Sequence, residues 1–301
     1  MSAFLVITFS GLALGAIYFL AASGLSLIYG LMDILNFAHG LFMTLGAYAG
    51  YEVAVHLTSS LGAPASLTLA ILASILGGAI AAGITEVFLI RPLYGRPVSQ
   101  ILVTIGLDLA VVGLLMGGFG SSSLQIPVPT WLLLATHVGS LNLPNASFLA
   151  LGAGVIVLLV LEWFLRRTRY GIIIRAGVEN REMVSALGID VGRAFTLVFV
   201  IGGAMAGLAG LLYSLVFSGD LVSPAQGDSL LIFAFIVVVI GGLGSIRGSA
   251  VAALIVGLLQ DYTSFYIGGH QGWAEIGNLS VVLLLAVVLE WRPRGLFGSV
   301  A

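Results

Sequence analysis

Few residues of this chain could do acid–base, nucleophilic or metal chemistry, and their spacing argues against most of it. The four histidines, His39, His56, His137 and His270, are scattered, with no HExxH pair and no metal-ligand spacing. No Ser/His/Asp arrangement is apparent, so nothing converges as a catalytic site must. Cysteine is absent, which removes disulfides, thiol catalysis and cysteine metal sites. Lysine is absent too, which removes a Walker A phosphate loop and any lysine Schiff base. If ATP drives this protein, another chain hydrolyses it. What remains is a set of polar side chains set into apolar stretches. Asn36 and His39 lie three apart, Asp108 sits in the middle of an apolar run, and Gln260 with Asp261 lies in another. Polar groups at membrane depth are costly and face a cavity or the bundle interior. They therefore either line a translocation path or hydrogen-bond a neighbouring helix, and both readings stand at this point.

The elements that hold them are membrane helices. The 301 residues are 59% hydrophobic and 8% charged, with mean hydropathy +1.16, whereas about 25% of an ordinary globular domain is charged. The apolar runs are about 20 residues or longer, which suits helices rather than the alternating strands of a barrel. A net charge of -2 indicates no nucleic-acid partner. Apolar segments fall near 4–29, 34–57, 65–90, 99–118, 147–165, 194–217, 229–243, 249–267 and 277–291. The first has no basic region before it and reads as a retained span rather than a cleaved signal. All eleven basic residues are arginines in four groups: Arg91 and Arg96; Arg166, Arg167, Arg169, Arg175, Arg181 and Arg193; Arg247; and Arg292 with Arg294. Two segments separate each group from the next, so all four fall on one side, and basic residues stay on the cytoplasmic side. The expectation is an all-α, polytopic membrane protein with eight or nine spans, N-terminus outside and C-terminus cytoplasmic. Segment 34–57 carries Asn36, His39, Glu52 and His56 and is a full span or a broken, re-entrant one.

Other patterns are local. The pairs Gly11/Gly15, Gly46/Gly50, Gly113/Gly117 and Gly203/Gly207 have the spacing that lets another helix approach closely. Residues 119–146, with Pro127, Pro129, Pro144 and Trp131, form the longest outer connection. Glu162 with Arg166, and Glu290 with Arg294, have i,i+4 spacing beside Trp163 and Trp291, as if two spans ended on the same side. Glu86 is within reach of Arg91. Asp220 and Asp228 flank an outer loop. Residues 166–193 are the only sizeable hydrophilic segment, too short for an enzyme domain. Within it Arg175 to Leu187 reads as a short amphipathic helix, with Ile174, Val178, Val184 and Leu187 opposite Glu179, Arg181 and Glu182, and Gly188 as its stop. Such a helix lies on the membrane or docks into a groove of another protein.

Four motifs carry a resemblance over nearly the whole length. They are Leu35-Asn36-Phe37-Ala38-His39-Gly40 with Gly46-Ala47-Tyr48, the loop TRYGIIIRAGVENREMVSALGID, the stretch GGLGSIRGSAVAALIVGLLQ at 241–260, and RPRGLFG at 292–298. In this order they resemble the permeases of ATP-binding-cassette importers of the branched-chain amino acid family, the LivH-like subunits. Leu41 stands where many members carry a glutamate. The resemblance implies one permease domain over 1–301 in a bacterial inner membrane, forming half of a translocation pathway and holding no cofactor. It implies as partners a second, LivM-like permease, two cytoplasmic ATPases, a periplasmic binding protein and membrane lipid. The path would involve Asn36, Phe37, Ala38, His39, Asp108 and Gln260. The helix bearing Arg175, Glu179, Arg181, Glu182, Leu187 and Gly188 would couple to the ATPase. The substrate would be a branched-chain or related amino acid, with urea or an amide as the alternative; a self-sufficient secondary transporter is a further reading.

Overall fold

The computed structural model describes residues 2–33, 36–139, 141–179, 183–184, 191–217, 219–268 and 275–297. The chain is all-α, as its uninterrupted apolar runs require. Among the described residues five helices are long and apolar enough to cross a membrane: α1 (Ser2–Met32), α3 (Ala63–Thr85, continued by short π and 3-10 turns to Leu93), α4 (Pro97–Phe119), α6 (Asn145–Arg167) and α8 (Val191–Val216). Helices α9 (Gln226–Gly241) and α10 (Ile246–Tyr266) are separated by a break across which the axis turns 119°. Counted as one bent unit, they bring the candidate spans to six. The expected eight or nine counts separately α2 (His39–Leu61), which carries Glu52 and His56, and α11 (Ile276–Trp291), which has only 16 residues.

Helices α1 and α8 form the centre. Of the α8 span 72% is buried, against 11% of α4. Helix α1 packs on α10, α8, α9 and α6, while α2 and α3 pack on each other and on α8. Missing side chains permit these approaches, as lipid tails offer no hydrophobic drive between helices. A Cβ on Gly46 would strike Gly207, and one on Gly78 would strike the Gly203 carbonyl, so α2, α3 and α8 meet backbone to backbone. Gly11 and Gly15 lie against Gly257 and Ala253 of α10 in the same way. Gly113 and Gly117 differ: nothing lies within 4 Å of either on α4.

The connection over 119–146 is more structured than its prolines suggest. Leu124–Gln125 pairs antiparallel with Leu221–Val222, which joins it to the α8–α9 loop. A turn of helix, α5 (Thr130–Leu133), precedes a hairpin of Ala135–Val138 with Leu141–Pro144.

The arginine groups converge at one end of the bundle. Arg91 donates to Thr196, three residues beyond Arg193. Arg166 and Arg247 share Glu162. The Leu296 N–H, two residues after Arg294, donates to the Ile240 carbonyl at 2.8 Å. Helices α6 and α11 thus end on the same side, with Trp163 and Trp291 exposed there.

Candidate functional site

The polar motif at 36–39 occupies a break between α1 and α2. Asp33 ends α1 with φ of 53°, a left-handed conformation that aspartate tolerates better than most residues. The Asn36 side-chain oxygen accepts from the Ala38 N–H at 3.1 Å, and the Asn36 carbonyl accepts from the His39 N–H at 3.3 Å. Asn36 therefore satisfies amides at the start of α2 that no helical turn precedes. His39 Nε2 lies 3.0 Å from the Ala21 carbonyl of α1. A carbonyl only accepts, so Nε2 carries the proton and Nδ1 is left as an acceptor. Nδ1 of His39 and Nδ2 of Asn36 are both buried without a partner among the described residues, on residues with no exposed surface. One free acceptor and one free donor thus sit inside the bundle, where unmet polar groups are rare.

Packing fixes this break at depth. A Cβ on Gly24 would meet both Gly202 of α8 and the His39 ring, so the imidazole fits because α1 lacks a side chain there. Gly40 abuts Gly227, whose N–H donates to Thr44 Oγ1 at 3.1 Å. The start of α9 is therefore capped by α2. Phe37 packs on Phe235 of α9, with centroids 5.5 Å apart, and Ala38 is fully buried.

The other expected path residues lie elsewhere. Asp108, on α4, comes within hydrogen-bonding reach of Asp228 in the first turn of α9, and its Oδ1 is otherwise buried without a partner. Two carboxylates so placed repel unless a proton or cation lies between them. Gln260, on α10, accepts from the Tyr18 hydroxyl at 2.7 Å and donates to Asn278 at 2.7 Å. Asn278 donates on to Glu275 at 2.5 Å, so a polar chain links α1, α10 and α11. Asn36, Phe37, Ala38 and His39 form one cluster, whereas Asp108 and Gln260 belong to separate contacts. In the loop between α8 and α9, burial raises the carboxyl of Asp220, which sits at φ of 62°.

At the arginine end, α7 (Arg169–Glu179) begins six residues before the expected Arg175. It starts there because Gly171 nests against the Phe164 and Leu165 backbone, with the Thr168 hydroxyl accepting from its N–H at 3.0 Å. Ile174 and Val184 are buried, as expected of the apolar side. Arg175 lines a cleft with Arg166 and Arg247. The Glu179 side chain and Arg181, Glu182, Leu187 and Gly188 lie outside the described residues. Glu86, fully buried, pairs with Arg91 at 3.1 Å as expected and also accepts from Tyr94 and Thr196. A π turn over Glu86–Ile90 makes this possible by bringing residues five apart onto one face. Burial and the nearby Glu86 carboxylate raise the Tyr94 phenol.

Sequence reasoning passed over Thr44, Tyr94, Thr196 and Asn278. Each is an ordinary polar residue whose partner is remote or set by an irregular turn, so spacing carried no signal.

A sequence model of the family described as branched-chain amino acid transport system / permease component matches residues 7–289. The chain is 28% identical to the high-affinity branched-chain amino acid permease protein LivH of Salmonella typhimurium, over 98% of this chain and 96% of that one. It is 29% identical to BraD, the corresponding permease protein of Pseudomonas aeruginosa, over 96% and 94%. A probable LivM permease protein of Methanocaldococcus jannaschii is 30% identical over 44% of this chain and 40% of that one. No solved structure matches.

Proposed function

The chain belongs to the family of permease components of branched-chain amino acid transport systems, and from that premise we propose that it forms half of the translocation pathway of an ATP-driven importer. A periplasmic binding protein delivers a branched-chain or related amino acid. A second, LivM-like permease completes the path, and two cytoplasmic ATPases drive it. The protein sits in a bacterial inner membrane with eight or nine spans, its N-terminus outside and its arginine end in the cytoplasm.

One observation supports the path most directly. The break at 36–38, just before α2, is non-helical backbone inside the bundle, held by α1, α8 and α9, with a donor on Asn36 and an acceptor on His39 that find no partner among the described residues. Irregular backbone at membrane depth is tolerated where it is buried in protein or lines a cavity. Movement of α9 or α8 would open this break. The helix bearing Arg175, Glu179, Arg181, Glu182, Leu187 and Gly188 is the coupling element, a reading supported by α7, which carries Arg175 and lies at the arginine end. Closure of the ATPases around ATP biases the permease between its two facings.

The test is reconstitution in liposomes with the partner permease, the ATPases and the binding protein. Leucine uptake that requires ATP and every partner is expected. Uptake by this chain alone, driven by a proton gradient, would overturn the reading.

A further inference from the structure

A groove between α6 and α10 changes character along its length. At the arginine end it is a cleft of about 290 Å³ whose lining includes Arg166 of α6, Arg175 of α7 and Arg247 of α10. Glu162 is the acid in this lining, and it binds Arg166 at 2.8 Å and also Arg247. Among the described residues no acid pairs with Arg175. Three guanidiniums face one carboxylate, leaving two positive charges on half-exposed side chains. Exposed Trp163 beside them marks the level of the headgroups. One turn further along α10 the lining becomes apolar: Ala250 and Leu254 face Leu151, Val155 and the shared Leu158 across a recess of about 100 Å³. A cationic cleft that continues into a greasy recess, at the edge of a membrane, has the shape of an amphiphile.

We propose that this groove is a binding site for an anionic phospholipid, with its phosphate against Arg166, Arg175 and Arg247 and an acyl chain along Ala250 and Leu254. Arginine suits the role because its planar fork meets phosphate oxygens in pairs. Basic pockets between membrane helices hold such headgroups. A bound lipid would tie α6, which buries few side chains of its own, to α7 and α10. The proposal rests on the membrane reading and not on transport, so it stands or falls separately from the importer assignment.

The experiment uses the full-length chain, delipidated in a neutral detergent and titrated with phosphatidylglycerol, with phosphatidylcholine of the same acyl chains, or with inorganic phosphate. Thermal midpoint and native mass spectrometry are read together. A saturable rise in midpoint with one retained lipid is expected for phosphatidylglycerol only. Arg175→Gln, which breaks no ion pair among the described residues, should weaken apparent affinity about fivefold, and adding Arg247→Gln roughly 25-fold in all, from the attraction each basic residue contributes near an anionic lipid. An equal rise with phosphatidylcholine would mean the headgroup is not read, and an equal rise with phosphate that the ligand is a soluble anion. Either result overturns the proposal, as does an unchanged response in Arg175→Gln.

Discussion

Glu86→Ala should be among the most destabilising single substitutions at the arginine end. The carboxylate is fully buried and accepts from Arg91, from the Tyr94 hydroxyl and from Thr196 at 2.8 Å. Arg91 is half exposed and regains water when the acid is removed, so it adds nothing to the estimate. The half-buried Tyr94 hydroxyl loses its acceptor, at about 1 kcal/mol, whereas Thr196 still donates to the Gly192 carbonyl at 3.1 Å. Deleting the buried γ-methylene and leaving a cavity adds roughly 1–1.5 kcal/mol. The expected loss is therefore about 2 kcal/mol, or a midpoint roughly 4 °C lower at about 2 °C per kcal/mol for a chain of this size. Glu86→Gln keeps one acceptor and the shape, so about half of that loss is expected. Thermal unfolding of the purified chain, followed by intrinsic fluorescence or by the onset of aggregation, reads the order wild type, Gln, Ala. Adding Thr196→Val to Glu86→Ala should cost little further, because the two share one hydrogen bond. A midpoint for Glu86→Ala within 1 °C of wild type, or full additivity with Thr196→Val, would refute the network as drawn.

Four other outcomes follow from the same geometry. Gly207→Leu should lower the midpoint by several degrees or abolish folding, since its Cβ would enter the Ser74 carbonyl of α3; Gly117→Leu, with nothing within 4 Å, should leave the chain's midpoint unchanged. Ala38→Trp should slow uptake in the reconstituted system while the subunits still co-purify, and normal uptake would move the path elsewhere. Asp108→Asn removes a like charge facing Asp228 and should raise the midpoint by roughly 1–2 °C, as relief of a like-charge contact of about 0.5 kcal/mol implies. Arg181→Glu combined with Glu182→Arg should separate ATP hydrolysis from uptake, and intact coupling in that double variant would remove the assignment of this segment.

The chain's membrane character was legible in its composition, and so was the gathering of its arginines. Each group lies at an end of an apolar run, and run length and charge placement are local properties. The Glu162–Arg166 pair was legible for the same reason, being one turn apart, whereas Glu86 and Arg91 were legible only as near neighbours that a π turn brings onto one face. The glycine pairs were half legible. Gly46 and Gly207 do bring backbones together, yet Gly113 and Gly117 have the same spacing and face open space. The site divided likewise. Asn36 and His39 stood out as polar residues in an apolar stretch, but the acceptor of His39, Ala21, is an apolar residue whose backbone alone takes part.

By itself the sequence determined the class of protein, the end at which its charges gather and the family to which it belongs. The tertiary structure alone decided that Arg247 meets Glu162 across 85 positions, that Thr44 caps α9, that Asp108 faces Asp228, and that α8 is central while α4 is peripheral. The physical reason is the solvent. In water an apolar stripe points to the core, whereas lipid tails are as apolar as leucine, so the pattern on a membrane helix marks its depth and does not say which neighbour it will meet.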